Sequence, residues 1–281
     1  MIEPPLEPGL YRETVRRALA EDLGWGDATT LAVVPAGLRA TGVLTARAEI
    51  VLAGLDVALE AFRQLDPAVV VDVQRCDGEK CRASDVVASV TGLAAPMLTA
   101  ERTALNFVRH LSGVASVTRW IVEAGGGAFR VADTRKTLPL LRVLQKYAVR
   151  VGGGVSSRLS LDEGLVIKAN YARVVGGIGT AVARARAARP EAPVEVETGS
   201  VEESEEALQA GASVILFTGA SAGDLEQIVR RCAGRARLIV SGQVPMDRVA
   251  VFAGVGADTL SLGSITDSAP AADISFELTP A

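Results

Sequence analysis

The sequence has little of what metal centres and disulfides are built from. Its 281 residues include one histidine, His110, and three widely spaced cysteines, Cys76, Cys81 and Cys232. A single histidine excludes a multi-histidine metal centre, and an odd number of separated cysteines argues against disulfides and structural zinc. We therefore expect neither a zinc site nor a disulfide framework.

Long apolar runs are also missing. Although 49% of the residues are hydrophobic, no apolar run reaches the 18 residues or so of a transmembrane helix. The first eight residues are rich in proline and acid, and they lack the apolar segment of a signal peptide. We expect a cytoplasmic protein with a large buried core, in one large domain or two.

An excess of positive charge is the third absence. The chain has 29 lysines and arginines against 33 aspartates and glutamates, a net charge of −4. The chain as a whole therefore lacks the excess of basic residues that is typical of nucleic-acid-binding proteins. Any cluster of cations within such an acidic chain favours a small acidic ligand over a polyanion.

The first third of the chain has a mixed α+β pattern. Helical periodicity extends over residues 11–22 and 55–65, and strands are predicted over 42–49, 68–73 and 86–90. The first third of the chain is therefore predicted to be α+β, with strands that mostly pair with near neighbours.

Residues 98–124 form the longest helical pattern. Apolar residues recur at three- or four-residue spacing from Leu105 to Ile121. Ser112 and Gly113, at its middle, predict a bend or a close helix contact. Three glycines at 125–127 then end the helix and suggest a link between domains.

The rest of the chain alternates short apolar strands with helices. Strands are predicted over 129–132, 166–168, 194–198, 214–218, 238–241 and 259–262, and helices over 138–149, 172–188, 202–210, 221–232 and 246–253. This pattern is typical of parallel βα units, of which we count about six. Six units are too few for an eight-fold barrel, so we predict an incomplete, open barrel.

Cations collect where such a barrel would place its site. Strand ends and a glycine turn carry Arg135, Lys136, Arg158 and Lys168, and Glu197 adds a carboxylate. Arginine binds carboxylate or phosphate through two parallel hydrogen bonds, and lysine acts as a point charge. The pattern favours a ligand with carboxylates together with a phosphorylated partner. Two alternatives are a solvated basic helix beside a loop, and a Schiff-base lysine at position 168.

Small residues at other strand ends could accommodate a phosphate. They are Ser241, Gly242, Gly263 and Ser264, whose backbone amides an anion can approach closely. A covalent serine nucleophile is not indicated, because no histidine lies near Ser156 or Ser157 in sequence and no nucleophile-elbow motif is present.

Several motifs resemble the quinolinate phosphoribosyltransferase family, and the resemblance covers nearly the whole chain. They are Glu21-Asp22-Leu23-Gly24 with residues 26–30, residues 101–107 and 111–115, Asp133-Thr134-Arg135-Lys136-Thr137, Lys146-Tyr147-Ala148-Val149 with the following glycines, Glu195-Val196-Glu197, and residues 256–258 with 273–275.

The resemblance implies an α/β fold made of two parts. Residues 1–124 would form an N-terminal α/β sandwich with a long interdomain helix, residues 125–265 an incomplete parallel α/β barrel, and residues 266–281 a tail that returns to the sandwich. It also implies a homodimer, or a larger assembly of dimers, in which Arg102 completes the partner's site.

The activity implied by the resemblance is a step of NAD biosynthesis. The family joins quinolinate to phosphoribosyl pyrophosphate with Mg²⁺, releases pyrophosphate and carbon dioxide, and yields nicotinate mononucleotide. Lys136, Lys168 and Glu197 would be catalytic, with Glu197 also a weak metal ligand. The residues that would hold the dicarboxylate are Arg102, Arg135, Arg158 and Lys168. The residues that would hold the phosphoribosyl donor are Lys136, Glu197, Ser241, Gly242 and Gly263.

The chain departs from the family pattern within the predicted site. The family has histidine where this chain has Ser157, Tyr171 and Asp267, and it has an acid where this chain has Ala169, Thr218 and Ile239. Ser157, Tyr171, Thr218 and Asp267 remain predicted substrate-binding residues. The departures leave three interpretations open: a working quinolinate enzyme, a relative that acts on another acid or sugar donor, and a homologue that binds an acid without catalysis.

Overall fold

The computed structural model of the protein describes residues 4–218, 222–242 and 249–281. The chain divides into two compact units. The first comprises Met1–Arg119, Leu138–Gly153 and Ser268–Ala281, and the second comprises Trp120–Thr137 and Gly154–Asp267. The predicted domain boundaries after residues 124 and 265 stay predictions.

The first unit is built on antiparallel strands. Its strands are β1 (Arg39–Ala46), β2 (Ile50–Val51), β3 (Val70–Val73), β4 (Lys80–Cys81), β5 (Val86–Leu93) and β12 (Ile274–Pro280). A four-stranded sheet has the order β12-β1-β5-β3, and β2 pairs with β4. The predicted strands are found with shifted ends, whereas β2, β4 and β12 were not predicted as separate strands. In β1 every second residue is buried, which matches the alternation of its sequence.

Five helices accompany these strands in the described part of the chain. They are α1 (Arg12–Leu23), α2 (Ala28–Val33), α3 (Leu55–Leu65), α4 (Ala94–Gly125) and α5 (Arg142–Val151). The short helix α2 was not predicted. It is capped by Asp27, whose carboxylate accepts hydrogen bonds from the amide of Thr30 at 2.9 Å and from its hydroxyl at 2.6 Å.

A buried carboxylate replaces the missing cap of α3. Gly54 at the N-cap has no side chain, and Asp77 accepts the amides of Gly54 at 2.7 Å and Leu55 at 3.1 Å. Tyr147 of α5 donates its hydroxyl to the same carboxylate at 2.8 Å. Burial raises the pKa of Asp77. Asp77 therefore joins the start of α3 to α5 within the first unit.

The long helix α4 is continuous through Ser112 and Gly113, and the predicted close contact is present. A Cβ atom on Gly113 would lie 2.0 Å from the carbonyl oxygen of Pro270, so only glycine fits there. The hydroxyl of Ser112 accepts the amide of Ala53 at 3.0 Å. The contact is with the C-terminal segment rather than with another helix.

The second unit contains one parallel sheet of six strands, as the repeat pattern predicts. The strands are β6 (Arg130–Ala132), β7 (Leu165–Ile167), β8 (Val194–Thr198), β9 (Val214–Phe217), β10 (Arg237–Ser241) and β11 (Thr259–Ser261). Their order is β6-β11-β10-β9-β8-β7. The α/β class and the open parallel barrel are thereby confirmed.

The helices of the second unit connect these strands. They are α6 (Ala169–Val175), α7 (Ile178–Ala188), α8 (Val201–Gln209), α9 (Ala222–Cys232), α10 (Val249–Phe252) and α11 (Ser264–Asp267). The single helix predicted over 172–188 is wrong, because Gly176 and Gly177 have φ angles of 93° and 128° and separate α6 from α7. Part of the helix predicted over 246–253 lies outside the described residues. No helix in the described part of the chain is long and apolar enough to cross a membrane.

Candidate active site

A cavity of about 960 Å³ lies within the second unit, and all six parallel strands contribute to its wall. Residues near both the amino and the carboxyl ends of the strands line it, so the cavity follows the length of the strands. The register of the sheet arranges the lining side chains in three successive rows.

We name the three rows of side chains by their distance from the carboxyl ends of the parallel strands. The deep row consists of Val166, Glu195, Val214 and Arg237. The middle row consists of Lys168, Glu197, Leu216, Ile239, Thr259 and Arg130. The outer row consists of Thr218, Ser241, Ser261 and Ala132.

The cavity is polar and cationic within an acidic chain. Six cationic and four carboxylate side chains line it, whereas the whole chain has a net charge of −4. The Nε atom of Arg135 is buried and has no hydrogen-bond partner among the described residues. A buried guanidinium nitrogen without a partner is costly, which favours an anionic ligand in this cavity.

The carboxylate of Asp133 is buried and organises the loop that follows the glycines. Ser157 donates its amide at 2.7 Å and its hydroxyl at 2.8 Å to one oxygen, and Ser156 donates its hydroxyl to the other at 3.0 Å. Asp133 follows β6 directly. These bonds fix the backbone next to Arg158, whose side chain lines the cavity.

Lys168 and Glu197 form an ion pair in the middle row. The Nζ atom of Lys168 lies 3.9 Å from a carboxylate oxygen of Glu197, and the lysine side chain is half exposed. A Schiff-base role for Lys168 would require Nζ to leave this ion pair and bond to a carbonyl carbon. The ion pair therefore suits a lysine that acts as a charge.

Glu195 lies one row deeper on the same strand. Burial raises its pKa, while Arg158, then Arg237, then Lys168 act in the opposite direction. The residue was not predicted as a site residue, although strand alternation places it on the same face as Glu197.

Lys136 is held against Gly263 at another strand end. The hydroxyl of Thr266 donates to the carbonyl oxygen of Lys136 at 2.7 Å, and a Cβ atom on Gly263 would lie 2.8 Å from Cδ of Lys136. The absence of a side chain at Gly263 therefore leaves room for the lysine stem.

Two models of known protein families match almost the entire chain. The quinolinate phosphoribosyl transferase N-terminal domain matches residues 27–112, and the C-terminal domain of the same enzyme matches residues 114–277. The chain belongs to the quinolinate phosphoribosyltransferase family.

Full-length relatives share its sequence and fold. The nicotinate-nucleotide pyrophosphorylase [carboxylating] of Mycobacterium leprae is 42% identical over 95% of this chain and 96% of its own. The probable nicotinate-nucleotide pyrophosphorylase of Bacillus subtilis is 34% identical over 92% of this chain and 90% of its own. The crystal structure of NadC from Streptococcus pyogenes superposes with a TM-score of 0.93, at 39% identity and 99% coverage of each chain.

The cavity brings together most of the residues that the family resemblance suggests. The predicted residues that line it are Arg135, Lys136, Ser157, Arg158, Lys168, Glu197, Thr218, Ser241 and Gly242. Their roles as catalytic and substrate-binding residues stay predictions. Thr218 donates its hydroxyl to the carbonyl oxygen of Thr198 at 3.1 Å.

The remaining four predicted residues do not line the cavity. Gly263 lies against Lys136, and Asp267 closes the short helix α11 with an oxygen 3.5 Å from the site of a Cβ atom on Gly263. Tyr171 is exposed on α6. Arg102 lies on α4 in the first unit, with 60% of its side chain exposed.

Several lining residues were not predicted from the sequence. The charged ones are Arg130, Asp133, Glu163, Glu195 and Arg237. The prediction considered only the carboxyl ends of the strands, and Arg130 and Arg237 are the first residues of β6 and β10. Strand alternation could have found Arg237, which precedes Ile239 and Ser241 on the same face.

Proposed function

We propose that the protein transfers the phosphoribosyl group of phosphoribosyl pyrophosphate to quinolinate, with loss of carbon dioxide, to give nicotinate mononucleotide. Membership of the family over nearly the whole chain carries this proposal. The cationic cavity supports it, because both substrates are polyanions and the cavity has more cations than carboxylates.

In this proposal the two halves of the reaction use different parts of the cavity. Arg135, Arg158 and Lys168 hold the carboxylates of the acid, and Lys136 with Ser241 and Gly242 holds the phosphates of the donor. The pyridine nitrogen forms a bond to C1 of the ribose while the bond from C1 to pyrophosphate breaks. The carboxyl group next to that nitrogen then leaves as carbon dioxide, and a proton takes its place on the ring.

The role of the cations in this chemistry is electrostatic. Lys136 beside the donor would stabilise the negative charge that develops on departing pyrophosphate. Arg135 and Arg158 would fix the ring so that its nitrogen faces the ribose, which supplies the orientation that a bimolecular reaction in water lacks. The protein needs no covalent intermediate for either step.

We propose that magnesium enters with the donor rather than at a site made by the protein alone. No group of three or more His, Cys, Asp or Glu side chains that could hold a metal occurs among residues 4–218, 222–242 and 249–281. Magnesium commonly binds through substrate phosphates, waters and one or two carboxylates. Glu197 is the carboxylate that this arrangement would use, in exchange for its ion pair with Lys168.

A second candidate function is transfer to another acid, or from another sugar donor. Leu216 and Ile239 stand beside Glu197 in the middle row and make that part of the cavity apolar. An apolar wall binds magnesium and a ribose diol less well than carboxylates do. We therefore expect the native protein to bind the donor weakly. A variant that combines Thr218→Asp with Asp267→His should recover part of that affinity.

Turnover of quinolinate decides between these functions. Incubation with phosphoribosyl pyrophosphate and magnesium should release carbon dioxide and form nicotinate mononucleotide, and the Lys168→Ala variant should bind quinolinate about ten- to a hundredfold more weakly. Tight quinolinate binding without turnover would instead favour another donor. If neither binding nor turnover is detected, the proposed acceptor is wrong.

We also propose a homodimer in which Arg102 of one subunit serves the site of the other. Arg102 is largely exposed, and among the described residues its one ion-pair contact is a long one of 3.9 Å to Glu101, so its side chain is available for such a role. Mixing Arg102→Ala chains with Lys168→Ala chains should restore up to one working site per mixed dimer. Mixtures without any recovered activity would count against sharing. Cytoplasmic localisation stays a prediction.

A further inference from the structure

The deep row of the cavity carries charges that the proposed reaction does not use. It combines Glu195 with Arg237, separated by Val214 on the strand between them. The interior of a closed eight-stranded barrel is filled by layers of branched apolar side chains. Here the cavity continues into this row, and polar side chains line it.

Arg237 and Arg130 are arginines of the cavity wall to which the proposed reaction gives no role. Within the described ranges, neither guanidinium group makes a hydrogen bond or an ion pair, and both residues are exposed. Glu195 is near enough to interact electrostatically with Arg237, yet no ion pair joins them. Glu195 interacts more strongly with Arg158, which faces the predicted acid site.

The position of Arg237 separates it from the predicted phosphate site. Arg237 and Ser241 occupy opposite ends of β10, four residues apart. At about 3.3 Å per residue their Cα atoms are roughly 13 Å apart along the strand. A phosphate bound at Ser241 therefore leaves the guanidinium group of Arg237 without an anionic partner.

We propose that Arg237 forms an additional anion subsite in the deep row of this cavity. The planar guanidinium group binds a carboxylate or a phosphate through two hydrogen bonds, so the subsite takes either group. The anion has two sources: a separate small anion such as inorganic phosphate, or a third acidic group carried by the acceptor acid. The first source leaves quinolinate as the proposed acceptor, whereas the second requires an acceptor with a third acidic group.

Titration of the intact protein with inorganic phosphate tests the subsite. At low ionic strength, calorimetry should detect two phosphates per chain, one of which is lost in Lys136→Met and the other in Arg237→Met. Arg237→Lys should keep the second phosphate with affinity reduced by about tenfold, because lysine retains the charge but not the two-point geometry. Arg184→Met provides the matched control, since Arg184 is exposed on α7 and does not line the cavity.

Two further titrations distinguish the sources of the anion. If the subsite takes a separate anion, protein saturated with quinolinate should still bind the phosphate that depends on Arg237. If it takes part of the acceptor, a pyridine tricarboxylate should bind at least tenfold more tightly than quinolinate, and Arg237→Met should abolish that difference. The proposal is overturned if Arg237→Met, with unchanged circular dichroism, binds phosphate and both acids as the native protein does. None of these measurements depends on turnover, so failure of the subsite and failure of the proposed reaction are separate results.

Discussion

Ser157 donates two hydrogen bonds, one from its amide and one from its hydroxyl, to the same oxygen of the buried carboxylate of Asp133. The serine hydroxyl is therefore bonded within the protein, next to the cavity that Ser157 lines. The family resemblance implies a histidine at this position, and here the position carries a serine that anchors the loop. Arg158 is the next residue, so this anchoring acts on a predicted substrate ligand.

We expect Ser157→Ala to loosen the loop without unfolding the protein. The variant keeps the amide bond to Asp133 and loses the hydroxyl bond, which should lower the free energy of unfolding by about 1 kcal/mol. Quinolinate affinity should fall severalfold, because Arg158 becomes less well positioned. Ser160→Ala on the same loop, whose hydroxyl bonds Asp162 instead, is the control and should leave affinity unchanged. Equal acid binding by both variants would contradict the anchoring role.

Gly263→Ala should weaken binding of the sugar donor while leaving the fold intact. The new methyl group would lie 2.8 Å from Cδ of Lys136, and the flexible lysine can move away at little cost to stability. A displaced Lys136 should lower affinity for phosphoribosyl pyrophosphate by about tenfold, the loss of one charge-assisted bond. Gly223→Ala, at a glycine with nothing within 4 Å of its added Cβ atom, is the matched control. Calorimetric titration with the donor and magnesium measures the effect, and donor affinity unchanged in Gly263→Ala would show that Lys136 does not hold the donor.

Glu195→Gln should change the pH dependence of stability in a defined direction. Because burial raises the pKa of Glu195 above its ordinary value of 4.5, ionisation of this group opposes folding. The native protein should therefore lose stability relative to the variant as pH rises from about 4.5 through the raised pKa of Glu195. Below about pH 4.5 the two proteins should be equally stable.

An oppositely shifted acid provides the control for that measurement. Arg235 lowers the pKa of Glu205 through hydrogen bonds, so its contribution is present at neutral pH and is lost as pH falls. Glu205→Gln should then be less stable than the native protein at neutral pH and converge with it in acid. Urea unfolding of all three proteins between about pH 3.5 and 8, which covers the ordinary carboxyl pKa near 4 and raised values above it, measures both trends. If both variants differ from the native protein in the same direction in stability at neutral pH, the assignment for Glu195 is wrong.

Asp77→Ala should be among the most destabilising changes in the first unit. It leaves the amides of Gly54 and Leu55 and the hydroxyl of Tyr147 without their shared acceptor. We expect a loss of about 2–3 kcal/mol in the free energy of unfolding, against about 1 kcal/mol for Tyr147→Phe. A double-mutant cycle should show coupling between the two sites. Strict additivity would mean that the hydroxyl of Tyr147 does not stabilise this cluster.

Gly113→Ala separates helix propensity from packing. Alanine in a helix interior is favoured over glycine by about 1 kcal/mol, so an unconstrained position would be stabilised. Here the added Cβ atom would meet the backbone carbonyl oxygen of Pro270 at 2.0 Å, and backbone cannot move aside as a side chain can. We therefore expect destabilisation by about 1–3 kcal/mol. Thermal unfolding that shows a stabilised variant would contradict the contact.

Local patterns predicted elements well where neighbouring residues decide the structure. The helix over 55–65 and the strand over 194–198 match α3 and β8 because periodicity and burial agree within each segment. The prediction failed over 172–188, where two adjacent glycines outweighed helical spacing. It missed β12, which pairs with β1 more than 200 residues away in sequence, a relationship that local spacing cannot reveal.

The sequence predicted a site at the carboxyl ends of the strands. It did not predict that the cavity extends toward their amino ends. Lys168, Glu197 and Thr218 were found because strand ends are where α/β folds place ligands. Arg237 and Glu195 were missed although alternation within β10 and β8 places them on the cavity face. That both lie in one row with Val214 depends on the register of three strands at once. A cavity that follows the strands is a property of small and polar lining residues taken together, and no single residue signals it.

The pairing of β12 with β1 has a consequence for the order in which the protein forms during synthesis. Ala40 pairs with Pro280 and Ala46 with Ile274, so one side of β1 stays without its partner until residues 274–280 have been translated. At roughly 5–20 residues per second, the chain between β5 and β12 takes about 10–40 s to emerge from the ribosome. Throughout that time the nascent chain presents an unpaired strand edge, which is a template for aggregation. A chain stopped before Ile274 would keep that edge permanently, so premature termination should yield a product that needs chaperones or is degraded.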